Sequence, residues 1–200
     1  MSELIKVSGS DEPGQAGDIV FVHGLDGDAR STWRPIGHVG PAWPEWLGEA
    51  MPDVGVWLLG YEVPSSAWRG HTMPLADRAT NVLALLDTEG LGARPLVFVA
   101  HSLGGLLVKQ LLRHGRDYGD PGWRRVADQT KGVVFLSTPH SGSDIANWVK
   151  HLGLVLRNTV SVKELEANDP RLRELNTWFR NNLQVAGLRA QVYCEKVPLH

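Results

Sequence analysis

The stretch from Pro95 to Gln110, PLVFVAHSLGGLLVKQ, constrains the fold more than any other part of this 200-residue chain. Leu96 to Ala100 is a short run rich in β-branched and aromatic residues, bounded by a proline. That is the composition of a strand buried on both faces. From Leu103 onward the apolar residues return at helical spacing. Between the two stands Ser102, with Ala100 two residues before it and Gly104 two residues after. A small-x-Ser-x-Gly sequence at a strand-to-helix turn is the pattern of a nucleophile elbow. The turn is too sharp for bulky neighbours, the serine backbone is strained, and Oγ is thrust out of the sheet. Ala100 stands where a first glycine is usual, a difference of one methyl group. The turn also sets Ser102 at the positive end of a helix, where the Leu103 N–H can face a developing oxyanion. A serine between small residues also makes a plain packing corner; the strand–turn–helix context favours the nucleophile.

The rest of the chain reads as alternating strands and helices around that corner. Residues 1–17 read as a loose leader, and residues 18–200 as one domain. Asp18 to Val22 is a buried strand ending in His23-Gly24-Leu25-Asp26-Gly27. The glycines open backbone angles closed to other residues, and the Leu25 N–H is the expected second donor to the oxyanion. Glu45 to Met51 reads as a short helix and Val54 to Tyr61 as a second buried strand. Pro74 opens a helix to about Glu89, with Leu75, Ala79, Val82, Leu83 and Leu86 on its buried face. Leu103 to Leu112 is the elbow helix, followed by a polar loop from Gly115 to Gly122 and a segment around Trp123 to Asp128. Gly132 to Ser137 is an apolar strand that runs into a turn-rich loop, Thr138 to Asp144. Asn147 to Thr159 is weakly amphipathic and reads as a lid. Ser161 to Leu183 reads as helix broken at Pro170, and Leu188 to Cys194 as a last strand ending at Glu195. This alternation predicts a mostly parallel sheet with helices on both faces. The carboxyl ends of such strands form the ligand crevice, and there lie His23, Tyr61, Ser102, residues 137–140 and Glu195.

Charge and composition narrow the function. Twenty basic residues against twenty-two acidic ones give a net charge of −2, so nothing favours nucleic acid or an anionic membrane surface. Cys194 is the single cysteine, which excludes an intrachain disulfide and suits a reducing compartment. With no apolar signal-like segment and no run long enough to span a bilayer, a cytoplasmic protein without a transmembrane segment is expected. The eight histidines show no ligand-type spacing, so neither metal nor cofactor is expected. Trp33, Trp43, Trp46 and Trp57 fall in one short segment. Trp46 and Trp57 read as core fillers, and Trp33 as either core or pocket wall.

Six motifs occur in one order: His23-Gly-Leu-Asp-Gly, Thr32-Trp33, Trp46-Leu47, Gly60-Tyr61, the Ala100 to Gln110 run and Phe135-Leu-Ser-Thr-Pro-His-Ser-Gly-Ser-Asp144. Together they resemble the α/β-hydrolase serine esterases of the serine-active-site-containing type and, more distantly, the GPI inositol deacylases, over about residues 18 to 195. The resemblance implies a lipase- or esterase-like hydrolase of carboxylic esters working through an acyl-enzyme on Ser102. Its substrate would be a small-molecule or lipid ester, with His23, Gly24, Trp33 and Tyr61 as binding residues. Fusion or association with signalling modules is the partner class it implies. The family fold carries the acid after its seventh strand, where Glu195 stands, and the histidine after its eighth. The sequence stops at His200, so an α/β-hydrolase fold lacking its last strand and helix is expected. His140 is then the alternative base and Asp144 the alternative acid. The rival readings are a catalytically inactive hydrolase-fold module with a signalling or binding role, and an acyl transferase to an acceptor other than water.

Overall fold

A computed structural model describes residues 2–9, 14–24, 27–35, 37, 39–61, 74–140 and 170–194. Six strands form one sheet: β1 (Glu3–Ser8), β2 (Gly17–Val22), β3 (Val54–Gly60), β4 (Leu96–His101), β5 (Thr130–Leu136) and β6 (Arg189–Tyr193), in the order β1-β3-β2-β4-β5-β6. All neighbours run parallel except β1, which pairs antiparallel with β3. The helices are α1 (Trp43–Ala50), α2 (Leu75–Thr88), α3 (Leu103–Asp117), α4 (Pro121–Gln129) and α5 (Pro170–Val185).

Period-two alternation in the strands divides the core between the two faces of the sheet. Val20, Val22, Phe98, Ala100, Val133 and Phe135 face α2, α3, α4 and α5, where they meet Leu83, Leu107, Leu111, Val126 and Phe179. Phe21, Val56, Leu58 and Val99 face the other way, toward Trp33, Ala42 and Leu47. Phe21, Phe98 and Phe135 are wholly buried, and each contributes about 2–3 kcal/mol of hydrophobic stabilisation. α3 lies at the centre of its layer and buries almost its whole surface, from Leu103 to Gly115. Asp18 is a carboxylate 3 % exposed at the start of β2. Its oxygens accept from Arg94 Nε at 3.1 Å and from Trp57 Nε1 at 3.0 Å, the pairing that a buried charge requires.

Several sequence expectations change here. The presumed leader holds β1, whose half-buried Leu4, Ile5 and Val7 pack onto the sheet. α3 runs on to Asp117, into the stretch from Gly115 read as a polar loop, because its last turns pack between α2 and α4. α4 starts on Pro121 at its first position, and the Asp120 side chain accepts from the Trp123 N–H at 2.9 Å to cap it. Trp57 packs against the core as expected, whereas Trp46 is 43 % exposed. The segment read as a lid, and the helix expected before Pro170, lie outside the described residues. No helix among the described residues is long and apolar enough to cross a membrane.

Candidate active site

β4 ends at His101 and α3 begins at Leu103, so Ser102 alone makes the turn between them. Its backbone sits at φ 54°, ψ −124°, a left-handed conformation that costs a non-glycine residue about 1–3 kcal/mol and persists only where the surroundings over-determine it. Here they do. The Ser102 N–H donates to the Leu136 carbonyl at 2.8 Å, and Thr138 Oγ1 donates to the Ser102 carbonyl at 3.1 Å. Both backbone groups of the serine are thereby tied to β5 and the turn that follows it.

The close approaches around Ser102 explain the glycines. A Cβ on Gly104 would lie 2.6 Å from the Val22 carbonyl oxygen, so α3 can meet β2 only with a bare Cα at that position. A Cβ on Gly105 would strike the Thr138 side chain at 2.5 Å. A Cβ on Gly24 would lie 2.7 Å from Ser102 Cβ and 3.0 Å from its Oγ. The loop after β2 is therefore seated directly on the serine side chain. The Leu103 N–H opens α3 beside it; Leu25 lies outside the described residues.

His23 is 2 % exposed and holds the loop that begins at Gly24. Its Nδ1 donates to the Gly24 carbonyl at 2.9 Å, and its Nε2 accepts from the Tyr61 N–H at 3.4 Å. That pattern needs a neutral ring, and burial pushes its pKa below the ordinary histidine value in agreement. Tyr61 stacks on the same ring at 4.3 Å and donates its hydroxyl to the His23 carbonyl at 2.5 Å. Tyr61 is also buried, and desolvation pushes its hydroxyl pKa up. Both residues support the loop that carries Gly24.

A cleft of about 530 Å³ opens at the carboxyl ends of β4, β5 and β6. One wall is Trp33, Pro35, Trp43 and Trp46; the other is His101, Leu136, Ser137, Tyr193 and Cys194. Trp33 serves both core and cleft: it is 6 % exposed and meets Phe21 edge-on at 4.9 Å. Trp46, read from sequence as core, is a cleft residue. Ser137, at φ 50°, is the second left-handed non-glycine residue among those described, and it stands beside Ser102 across the β4–β5 pair.

His140 is brought near the elbow but turned to another partner. Its Nδ1 lies 3.0 Å from Lys109 Nζ, and its ring meets Phe135 edge-on at 4.9 Å. A catalytic histidine directs that nitrogen at an acid; here it faces a cation. Among the described residues Nδ1 faces no acid. Among the described residues no histidine is hydrogen-bonded to Ser102 Oγ. Asp144, Glu195 and His200 lie outside the described residues. No group of three or more potential metal-ligating side chains is found among the described residues.

A scan against protein-family models finds no match. The chain is 32 % identical over 204 residues to Protein SERAC1 of Danio rerio and 30 % identical over 202 residues to that of Homo sapiens. Each match takes in 92 % of this chain but 31 % of the relative, so the chain spans about a third of the length of these curated proteins. Among solved structures, the mature lipase BlEst2 of Bacillus licheniformis superposes with a TM-score of 0.56 at 18 % identity, covering 96 % of this chain and 70 % of that one. The phospholipase PlaB of Legionella pneumophila, in complex with thio-NAD, gives 0.57 at 16 % identity over 87 % of this chain and 37 % of its own. The strand–serine–helix corner, the parallel sheet and these superpositions together show an α/β-hydrolase fold, in a chain similar in sequence to the SERAC1 proteins.

Proposed function

We propose that this chain is the hydrolase domain of a serine carboxylester hydrolase. The observation that carries the reading is Ser102 itself, held at φ 54° with Gly24 seated on its side chain. Strain of this kind at a strand–helix corner is the mark of a pre-organised nucleophile. Ser102 Oγ attacks the ester carbonyl, and the alkoxide that forms accepts hydrogen bonds from the N–H groups of Leu103 and Leu25. A general base takes the Ser102 proton and returns it to the departing alcohol, leaving an acyl-Ser102 that water then hydrolyses with the same base taking its proton. Glu195 is the proposed acid, with Asp144 as its alternative, and each would orient the base. The tryptophan-walled cleft is the proposed subsite for the apolar part of a small-molecule or lipid ester, with Trp33 at its base. The cytoplasm and an association with signalling modules remain part of the same proposal. Neither a metal nor a cofactor enters this chemistry.

The test is labelling of the intact protein by a fluorophosphonate, followed by peptide mapping, alongside turnover of a short p-nitrophenyl ester. Label on Ser102, with labelling and turnover both lost in Ser102→Ala, is the expected result. Label on Ser137 instead, or none at any serine, overturns the reading and leaves the inactive binding module.

A further inference from the structure

The proposed chemistry makes no use of Lys109, yet it is the most unusual side chain in the core. It projects from α3 two helical turns after Ser102 and is 1 % exposed. Its Nζ donates to Asn176 Oδ1 at 2.5 Å and to His140 Nδ1 at 3.0 Å. The same nitrogen lies over the rings of Phe135 at 5.2 Å and Phe179 at 5.6 Å. One ammonium thus joins α3, α5, β5 and the turn after β5. Among the described residues no carboxylate neutralises it. Arg180 on α5 opposes it, and the Arg113–Glu174 ion pair lies nearby where α3 meets α5. Desolvation pushes its pKa down to about 7. A leucine or methionine here would avoid that cost, so the cation is not explained by stability.

What the ammonium holds is the turn that backs the elbow. From Leu136 to His140 several polar groups are spent on neighbours. The Leu136 carbonyl accepts from the Ser102 N–H, the Ser137 N–H donates to the Tyr193 carbonyl at 2.8 Å, and Thr138 donates to the Ser102 carbonyl. Lys109 closes the far end by fixing His140. Two strained serines, 102 and 137, lie side by side on this assembly, and strain persists only where contacts over-determine it.

We propose that Lys109 is a positioning residue for Ser102, its ammonium bracing the Ser137–His140 turn against α3 and α5 so that the turn in turn fixes the elbow. Only the catalytic consequence rests on the serine-hydrolase reading; the brace itself does not.

The experiment uses the intact protein with Lys109→Met, an apolar side chain of similar length, and Asn176→Leu, which removes one anchor and leaves the lysine in place. Two quantities are read. The first is fluorophosphonate labelling of Ser102, resolved into a maximal rate and a half-saturating concentration. The second is amide hydrogen exchange at Ser137, Thr138 and His140. Loss of the brace should lower the maximal labelling rate by about 10- to 100-fold, the scale set by sub-ångström to 1 Å misplacement, with little change in half-saturation. Exchange at the three amides should quicken about tenfold or more, because their opening becomes local rather than global. Unchanged exchange with an unchanged labelling rate in Lys109→Met overturns the proposal. If that variant does not fold, Asn176→Leu decides by the same two readouts. If wild-type protein takes no label at Ser102, the hydrolase reading falls and the exchange data alone decide the brace.

Discussion

Lys109 should make the protein gain stability on the alkaline side of neutrality. Burial, with Arg180 adding to it, holds the ammonium down from the ordinary 10.5 to about 7. A lowered lysine pKa means that the unfolded chain binds the proton more tightly than the native one. Below pH 7 both states are protonated, and the native state carries the full cost of the buried charge. Between about 7 and 10.5 the unfolded state holds one proton more, so unfolding free energy rises at about 1.4 kcal/mol per pH unit. Above 10.5 the rise is complete. From pH 7 to pH 9 the gain is about 2–3 kcal/mol, and Lys109→Met should lack it. With a urea slope of about 2 kcal/mol per molar, the wild-type midpoint moves roughly 1 M further than that of the variant. The assay is urea unfolding of both proteins at pH 6.5, 8 and 9, followed by tryptophan fluorescence. Taking the difference between them cancels every contribution that the two proteins share. Parallel midpoints would refute the reasoning, since they would mean that the ammonium keeps an ordinary affinity for its proton.

Ser102→Gly should raise stability by about 1 kcal/mol while abolishing labelling, because glycine adopts the left-handed angles without strain. A melting temperature at or below that of wild type would argue against a strained elbow. Gly104→Ala should cost about 1–3 kcal/mol, as overpacking does, because its new methyl meets the Val22 carbonyl oxygen. Denaturant melts matching wild type would show that α3 and β2 do not approach as closely as described.

The parts of this molecule that sequence made legible are those fixed by local pattern. Leu96 to Ala100 could be read as a strand because a short β-branched run has few other uses, and Gly104 could be read as a close approach because a serine corner needs one. Edges and cross-chain contacts were harder. Leu4, Ile5 and Val7 lack clean alternation, and nothing within residues 1–17 shows that β3 offers them a pairing edge. Trp46 looked like a gap filler because ring size signals burial on average; its exposure depends on the distant Leu136 and Ser137 that complete the cleft. His23 was legible as the end of a strand, but the Tyr61 ring that stacks on it, 38 residues away, was not. Lys109 did carry a signal: the one charged residue in the largely apolar run Leu103 to Leu112. What it binds, Asn176 and His140, is set by tertiary packing alone.

The split construction of the tryptophan cleft bears on how such a protein can be re-engineered. One wall grows from the sheet, from residues that share backbone bonds with the elbow, and any change there disturbs the serine. The other wall comes from Thr32 to Pro35 and from Trp43 and Trp46 on α1, with Trp33 anchored in the core against Phe21, and the loop after β2 meets the serine side chain at Gly24. On the proposed reading, substitutions at the exposed Trp46 would tune which acyl or alcohol group is admitted while Trp33 and Ala42 keep their places in the core. Selectivity and reactivity would then lie in different parts of the chain, and Gly24 is where the two meet.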